Sequence, residues 1–163
     1  MKIIVDAFGG DNAPLAMIEG SLQAHQEYGV EILLVGQRDK IEQCAAEHSL
    51  SLSGIEILDA QGMIPVEADP TTLLKEYAGS SMAVGMQALK DGKGDAFVSA
   101  GSTGALVVGA SLIVKRLKGV RRTAIPTIIP SEKGCFMLID SGANAECNSD
   151  MLLQFGLMGS VYM

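Results

Sequence analysis

The feature that most constrains this chain is an alternation between short, uninterrupted apolar runs and longer segments with helical spacing. Residues 3–7, 31–35, 55–58, 95–100 and 135–140 read as strands. Between the first two, Leu15, Ile18, Leu22 and His25 recur at helical intervals over residues 13–28, with Pro14 suited to a first turn and Asn12 or Asp11 to a cap. Gly29 then suits the helix end. Residues 39–48 read as a short helix and 60–70 as a loop. Residues 71–90 read as one long helix, with Leu74, Ala78, Met82, Met86 and Leu89 on one side. Residues 105–117 and 149–163 are helical in pattern, and 123–130 are extended but interrupted by Pro126. Strands apolar on both faces, separated by helices, require an α/β fold with a mostly parallel sheet covered on both sides.

Composition narrows the function classes. Twelve basic against nineteen acidic residues leave a net charge of −7, which disfavours a nucleic-acid surface built on excess Lys and Arg. The 163 residues are 48% hydrophobic and 4% aromatic, enough for one domain with an aliphatic core and too apolar for disorder. Cys44, Cys135 and Cys147 form no CxxC pair, so free thiols in a reducing cytoplasm are expected. His25 and His48 lack metal-ligand spacing, and no metal is expected. The N-terminus has too few apolar residues before Asp6 for a signal peptide. The uncharged run 96–114 contains SAGSTG, which suits a strand, a tight loop and a buried helix better than a membrane span.

Three polar, glycine-rich loops directly follow apolar strands: residues 6–14, 99–105 and 140–144. In an open parallel sheet all three emerge at the carboxyl edge, where ligands bind. One such loop alone reads as a tight connection; three at one edge read as a ligand cleft. The loop at 99–105 suits an anion best, because it holds no acid and opens a helix whose first N–H groups carry partial positive charge. Asp11 in the first loop opposes an anion and suits a cap. Neither a Walker motif nor GxGxxG is present, and Ser99, Ser102 and Thr103 have no local His or Lys base, so support for a serine nucleophile is weak. Asp6, Asp11 and Asp140 suit either a divalent cation or caps and turns; the second reading is preferred.

The string MKIIVDAFGGDNAP resembles the opening of the bacterial phosphate acyltransferases that make acyl phosphate for phospholipid synthesis, the PlsX family, which usually begins with a variant of VDAMGGDxAP. SSM at 80–82, DAFVSAGSTGA at 95–105, LIDSGAN at 138–144 and LLQFGLMGSVY at 152–162 resemble further family blocks in the same order. Phe8 stands where the family usually has Met, Ser102 where it has Asn, and Ser141 where Val is common. Residues 73–77 are less basic than in many members. Family members run to roughly twice this length, so residues 1–163 are expected to form the N-terminal portion of the family's α/β domain.

The resemblance implies a three-layer α/β/α fold similar to isocitrate dehydrogenase and phosphotransacetylase. It implies a homodimer, cytoplasmic and loosely associated with the inner face of the membrane, with no cofactor. The implied reaction passes a fatty acyl group from acyl carrier protein to inorganic phosphate. On that reading Ser99, Gly101, Ser102, Thr103 and Gly104 hold phosphate. Asn144 and the backbone at Gly142 and Ala143 aid the acyl carbonyl or its oxyanion, with Asn144 and Thr103 the catalytic candidates. Asp6, Gly9, Gly10, Asp11 and Asp140 shape the loops. Lys115, Arg116, Lys118, Arg121 and Arg122, five of the twelve basic residues, suit either docking of an acidic carrier or a solvated basic helix end. A non-catalytic anion-binding module and a phosphotransacetylase-like enzyme using coenzyme A are the alternatives.

Overall fold

A computed structural model describes residues 1–163, which divide into two compact units, 1–114 and 115–163. In the first unit, strands β1 (Lys2–Asp6), β2 (Glu31–Gly36), β3 (Ile55–Asp59) and β4 (Ala96–Val98) form one sheet in the order β3-β2-β1-β4. Every pairing in it is parallel, as the doubly apolar runs require, with Ile4 opposite both Leu33 and Phe97.

Side chains alternate across a strand, so one short run supplies two cores. Val5, Ile32 and Leu34 pack on one face with Ile18 of α1 (Leu15–Tyr28) and Ile41 of α2 (Arg38–Glu47). Ile4, Leu33 and Val35 pack on the other with Ala88 of α3 (Ser81–Lys90). The result is three layers, α/β/α. A third cluster joins α3 to α4 (Thr103–Gly109) through Met82, Met86 and Ala105, and includes Ile64 and Leu73 from the preceding segment.

Several elements differ from the sequence expectation. The helix expected over 71–90 is two elements. Asp69 accepts hydrogen bonds from the Thr71 N–H and hydroxyl, and these hold its carboxyl below the usual range while capping a 3₁₀ turn at Pro70–Leu74. Ser80 then caps α3 afresh by accepting from Ala83 N–H. A second cap ten residues on from Pro70 ends the continuity that apolar spacing alone suggested, and Leu74 is left exposed. Neither Asp11 nor Asn12 caps α1: the N-cap position is Pro14, without a side-chain bond. Gly29 does close that helix, its N–H donating to His25 O. The helix expected over 105–117 comprises α4 and a π turn, Ala110–Lys115, and stops where Lys115 takes a φ of 76°.

The largest difference lies in the second unit. β5 (Thr127–Ser131) and β6 (Gly134–Leu138) form an antiparallel hairpin of their own, with Ile129 opposite Phe136. The short Glu132-Lys133 connection permits only antiparallel return, since a parallel crossover needs about a dozen residues or more. The loop at 140–144 therefore follows a hairpin strand and not a strand of the parallel sheet. α5 (Ser149–Tyr162) is capped by Asn148, which accepts from Met151 N–H, and buries Met151 and Phe155.

Leu34 is fully buried at the sheet centre, whereas Leu157 on α5 is 59% exposed. Leu34→Ala is expected to cost about 2–5 kcal/mol in denaturant unfolding, and Leu157→Ala about 0.5 kcal/mol or less.

Candidate functional site

The order β3-β2-β1-β4 reverses direction between β1 and β4. The chain leaves β1 toward β2 on one side and later returns on the other, which opens a crevice at the carboxyl ends of these two strands. The loops following β1 and β4 are the glycine loops at 6–14 and 99–105. The fold thus brings two of the three sequence-derived loops together at a switch point.

Asp6 joins them. It is 2% exposed, and both its oxygens are engaged. Oδ1 accepts from Phe8 N–H at 3.2 Å, and Oδ2 accepts from the Ser99 hydroxyl at 2.7 Å. Ser99 Oγ in turn accepts from Gly101 N–H at 3.1 Å. Gly9 lies against this network: a Cβ there would sit 2.7 Å from both Asp6 Oδ2 and Ser99 Oγ. Gly10 takes a φ of 102°, which a side chain would strain.

This network changes what each loop residue can offer. A serine hydroxyl has one hydrogen, and that of Ser99 is spent on Asp6, so Ser99 has none for an anion. Ser102, which is buried, accepts from Ala105 N–H and caps α4. Thr103 is exposed at the first position of α4, followed by Gly104. The loop therefore keeps two hydroxyl hydrogens uncommitted, that of the exposed Thr103 and that of the buried Ser102, with Gly104 beside them.

A cavity of about 330 Å³ adjoins the two loops. Gly10, Asp11 and Gly101 line it from the glycine loops, and Met63, Ile64, Pro65, Val66 and Glu67 from the segment after β3. From sequence, 60–70 reads as a loop. The signal for its place beside the cavity was the run Met63-Ile64-Pro65-Val66, four apolar residues in a stretch otherwise read as loop.

In the second unit Asp140 organises its own loop. Its carboxylate accepts from Ile125 N–H at 2.7 Å, Ala143 N–H at 3.2 Å, Asn144 N–H at 2.8 Å and Asn144 Nδ2 at 2.9 Å. Partial burial pushes the carboxyl up, but these donors together outweigh it and hold it below the usual aspartate range. Asn144 Nδ2 also donates to Thr123 O, so both its amide hydrogens are engaged. Of the groups expected at an acyl carbonyl, Ala143 N–H is engaged by Asp140, the Asn144 amide is shared between Asp140 and Thr123 O, and Gly142 takes a φ of 131°. Of the basic cluster, Arg121 pairs with Asp150 at 2.5 Å and donates its N–H to Gln154, and a guanidinium N–H of Arg116 donates to Arg121 O. Lys115, Lys118 and Arg122 are exposed.

The chain is similar to known proteins along its whole length. A family model described as a fatty acid synthesis protein matches residues 1–163. A phosphate acyltransferase of Clostridium kluyveri is 43% identical over 162 residues, which is 99% of this chain and 48% of that protein. One of Acetivibrio thermocellus is 47% identical over 164 residues, 100% of this chain and 48% of that protein. The chain thus spans about half the length of these curated relatives. Among solved structures, the EutD phosphotransacetylase from Staphylococcus aureus superposes with a TM-score of 0.68 at 22% identity, over 93% of this chain and 49% of that one. A phosphotransacetylase from Streptococcus pyogenes gives 0.72 at 17%, over 96% and 51%. At these identities the likeness is one of fold.

Two outcomes follow from the site geometry. Asp6→Ala strands Phe8 N–H and the Ser99 hydroxyl, and is expected to cost about 1–3 kcal/mol in denaturant unfolding. For Asp140, the folded carboxyl titrates below its unfolded value, so the folded state binds fewer protons. Its stabilising contribution is complete above the unfolded value of about 3.9 and fades as pH falls through the lower folded value. Acid unfolding of Asp140→Asn should lack that component.

Proposed function

The chain belongs to the fatty acid synthesis protein family, and from that premise we propose that it forms part of a phosphate acyltransferase. The reaction moves a fatty acyl group from acyl carrier protein to inorganic phosphate. The observation that carries this reading is the pair of glycine loops locked together at the β1/β4 switch point, beside an acid-free, hydroxyl-bearing turn. Phosphate is already a nucleophile, so no serine need be activated. A phosphate oxygen attacks the thioester carbonyl, a tetrahedral oxyanion forms, and the carrier thiolate leaves and takes up a proton. The products are acyl phosphate and free carrier.

The protein's part is positioning and charge stabilisation. Thr103 donates its hydroxyl to phosphate, and the backbone at Ser102 and Gly104 approaches the anion closely. Asp6 is not a ligand of the anion, since both its oxygens are already hydrogen-bonded within the loops. Its task is to hold Ser99 and Gly101 in place. The exposed Lys115, Lys118 and Arg122 form the landing surface for an acidic carrier, and Arg121 contributes less because Asp150 already neutralises it. A homodimer at the inner face of the membrane, in the cytoplasm, fits this use. No helix here is long and apolar enough to cross a membrane.

The deciding assay mixes acyl carrier protein thioester, phosphate and the full-length protein, and follows release of free carrier. Release that requires phosphate supports the reading. Release with coenzyme A thioester and not with the carrier points to a phosphotransacetylase-like enzyme, and phosphate binding without release points to a binding module. Thr103→Asp places a negative charge beside the anion and is expected to raise the phosphate KM at least about tenfold, with the carrier KM little changed. An unchanged phosphate KM overturns the Thr103 assignment.

A further inference from the structure

The segment after β3 is built as a wall. Ser81 N–H donates to Gly62 O at 2.8 Å, which ties the start of the stretch to the first residue of α3, and Ala68 N–H donates to Pro65 O at 3.2 Å, which closes a turn at its end. Ile64 is 8% exposed and packs into the cluster holding Leu73, Met82 and Ala105. That anchor leaves its neighbours Met63 and Val66 exposed at 54% and 61%, although both are large and apolar. Both line the cavity that also touches Gly10 and Gly101.

Exposed apolar side chains on a tethered loop, facing a cavity next to a polar turn, suit a ligand with a polar head and an apolar tail. The charges agree. Asp11 and Glu67 line the same cavity, so an anion is disfavoured within it, while an uncharged hydrocarbon is not. At about 330 Å³ the pocket has room for several methylenes along its Met63–Val66 side. Methionine adapts its shape to a flexible chain.

We propose that Met63 and Val66 form the acyl-chain wall of the site and set its preference for long over short acyl groups. The inference rests on the phosphate acyltransferase reading. It adds that chain-length selection resides in the segment after β3 and not in the glycine loops. Neither side chain touches the reacting atoms; both act on specificity.

Inert alkyl phosphonates test this without turnover. Full-length protein is titrated calorimetrically with inorganic phosphate, methylphosphonate and octylphosphonate. Each buried methylene is worth about fourfold in affinity, so partial burial of the octyl chain should give at least about tenfold tighter binding than methyl. In Val66→Asn, which removes the apolar surface without adding charge, that ratio should fall to within about twofold, with phosphate affinity unchanged. Met63→Ser should lower it less; both positions are exposed, so folding is spared. A ratio retained in both variants overturns the proposal, as does a wild-type protein that binds phosphate without preferring the longer chain. In those two cases the phosphate reading stands. If the wild type binds neither phosphate nor phosphonate, the phosphate reading fails and the chain wall with it.

Discussion

A single hydrogen bond, 2.7 Å from the Ser99 hydroxyl to the Asp6 carboxylate, ties together two loops that lie 93 residues apart in the chain. Parallel strands bring their carboxyl ends side by side, but nothing in sheet pairing holds the loops beyond those ends. Asp6 does so by spending one oxygen on its own loop, through Phe8 N–H, and the other on the loop after β4. Gly9 is required because the two loops approach so closely that a methyl group would displace one of the bonded oxygens. Through Gly101 N–H, which donates to Ser99 Oγ, the contact also shapes the turn that leads into α4.

Burial gives the contact its strength. In water a serine–aspartate bond merely replaces bonds to solvent, and its net worth is small. With Asp6 2% exposed, losing the Ser99 hydroxyl leaves a carboxylate oxygen without water to turn to. Both Asp6 oxygens are committed to the two loops, so neither is left to accept from a further donor at the crevice.

The second unit applies the same device to a different end. Asp140 gathers four donors from Ile125, Ala143 and Asn144, which makes its loop self-contained. Its donors reach a substrate only if Asp140 gives them up, and the same donors hold its carboxyl below the usual aspartate range against the opposing effect of partial burial.

By itself the sequence determined the layers. Runs apolar on both faces, such as Ile3-Ile4-Val5 and Ile32-Leu33-Leu34, admit a buried parallel strand and little else, because period-two side chains must find a core on each side. The glycine loops were legible for the same local reason, and the family resemblance rested on those strings. Tertiary structure decided which loops meet. Phe136-Met137-Leu138 is as apolar as a core strand, yet it pairs with its sequence neighbour, since a two-residue connection admits only antiparallel return. The functions of individual polar groups were also beyond the sequence. Whether Ser99 offers its proton to a ligand or to Asp6, and whether Asn144 serves a substrate or Asp140, depends on contacts between residues that composition and spacing place nowhere near each other. The wall at Met63 and Val66 was hidden for a related reason: an apolar residue in a loop acquires meaning only when the fold leaves a cavity beside it.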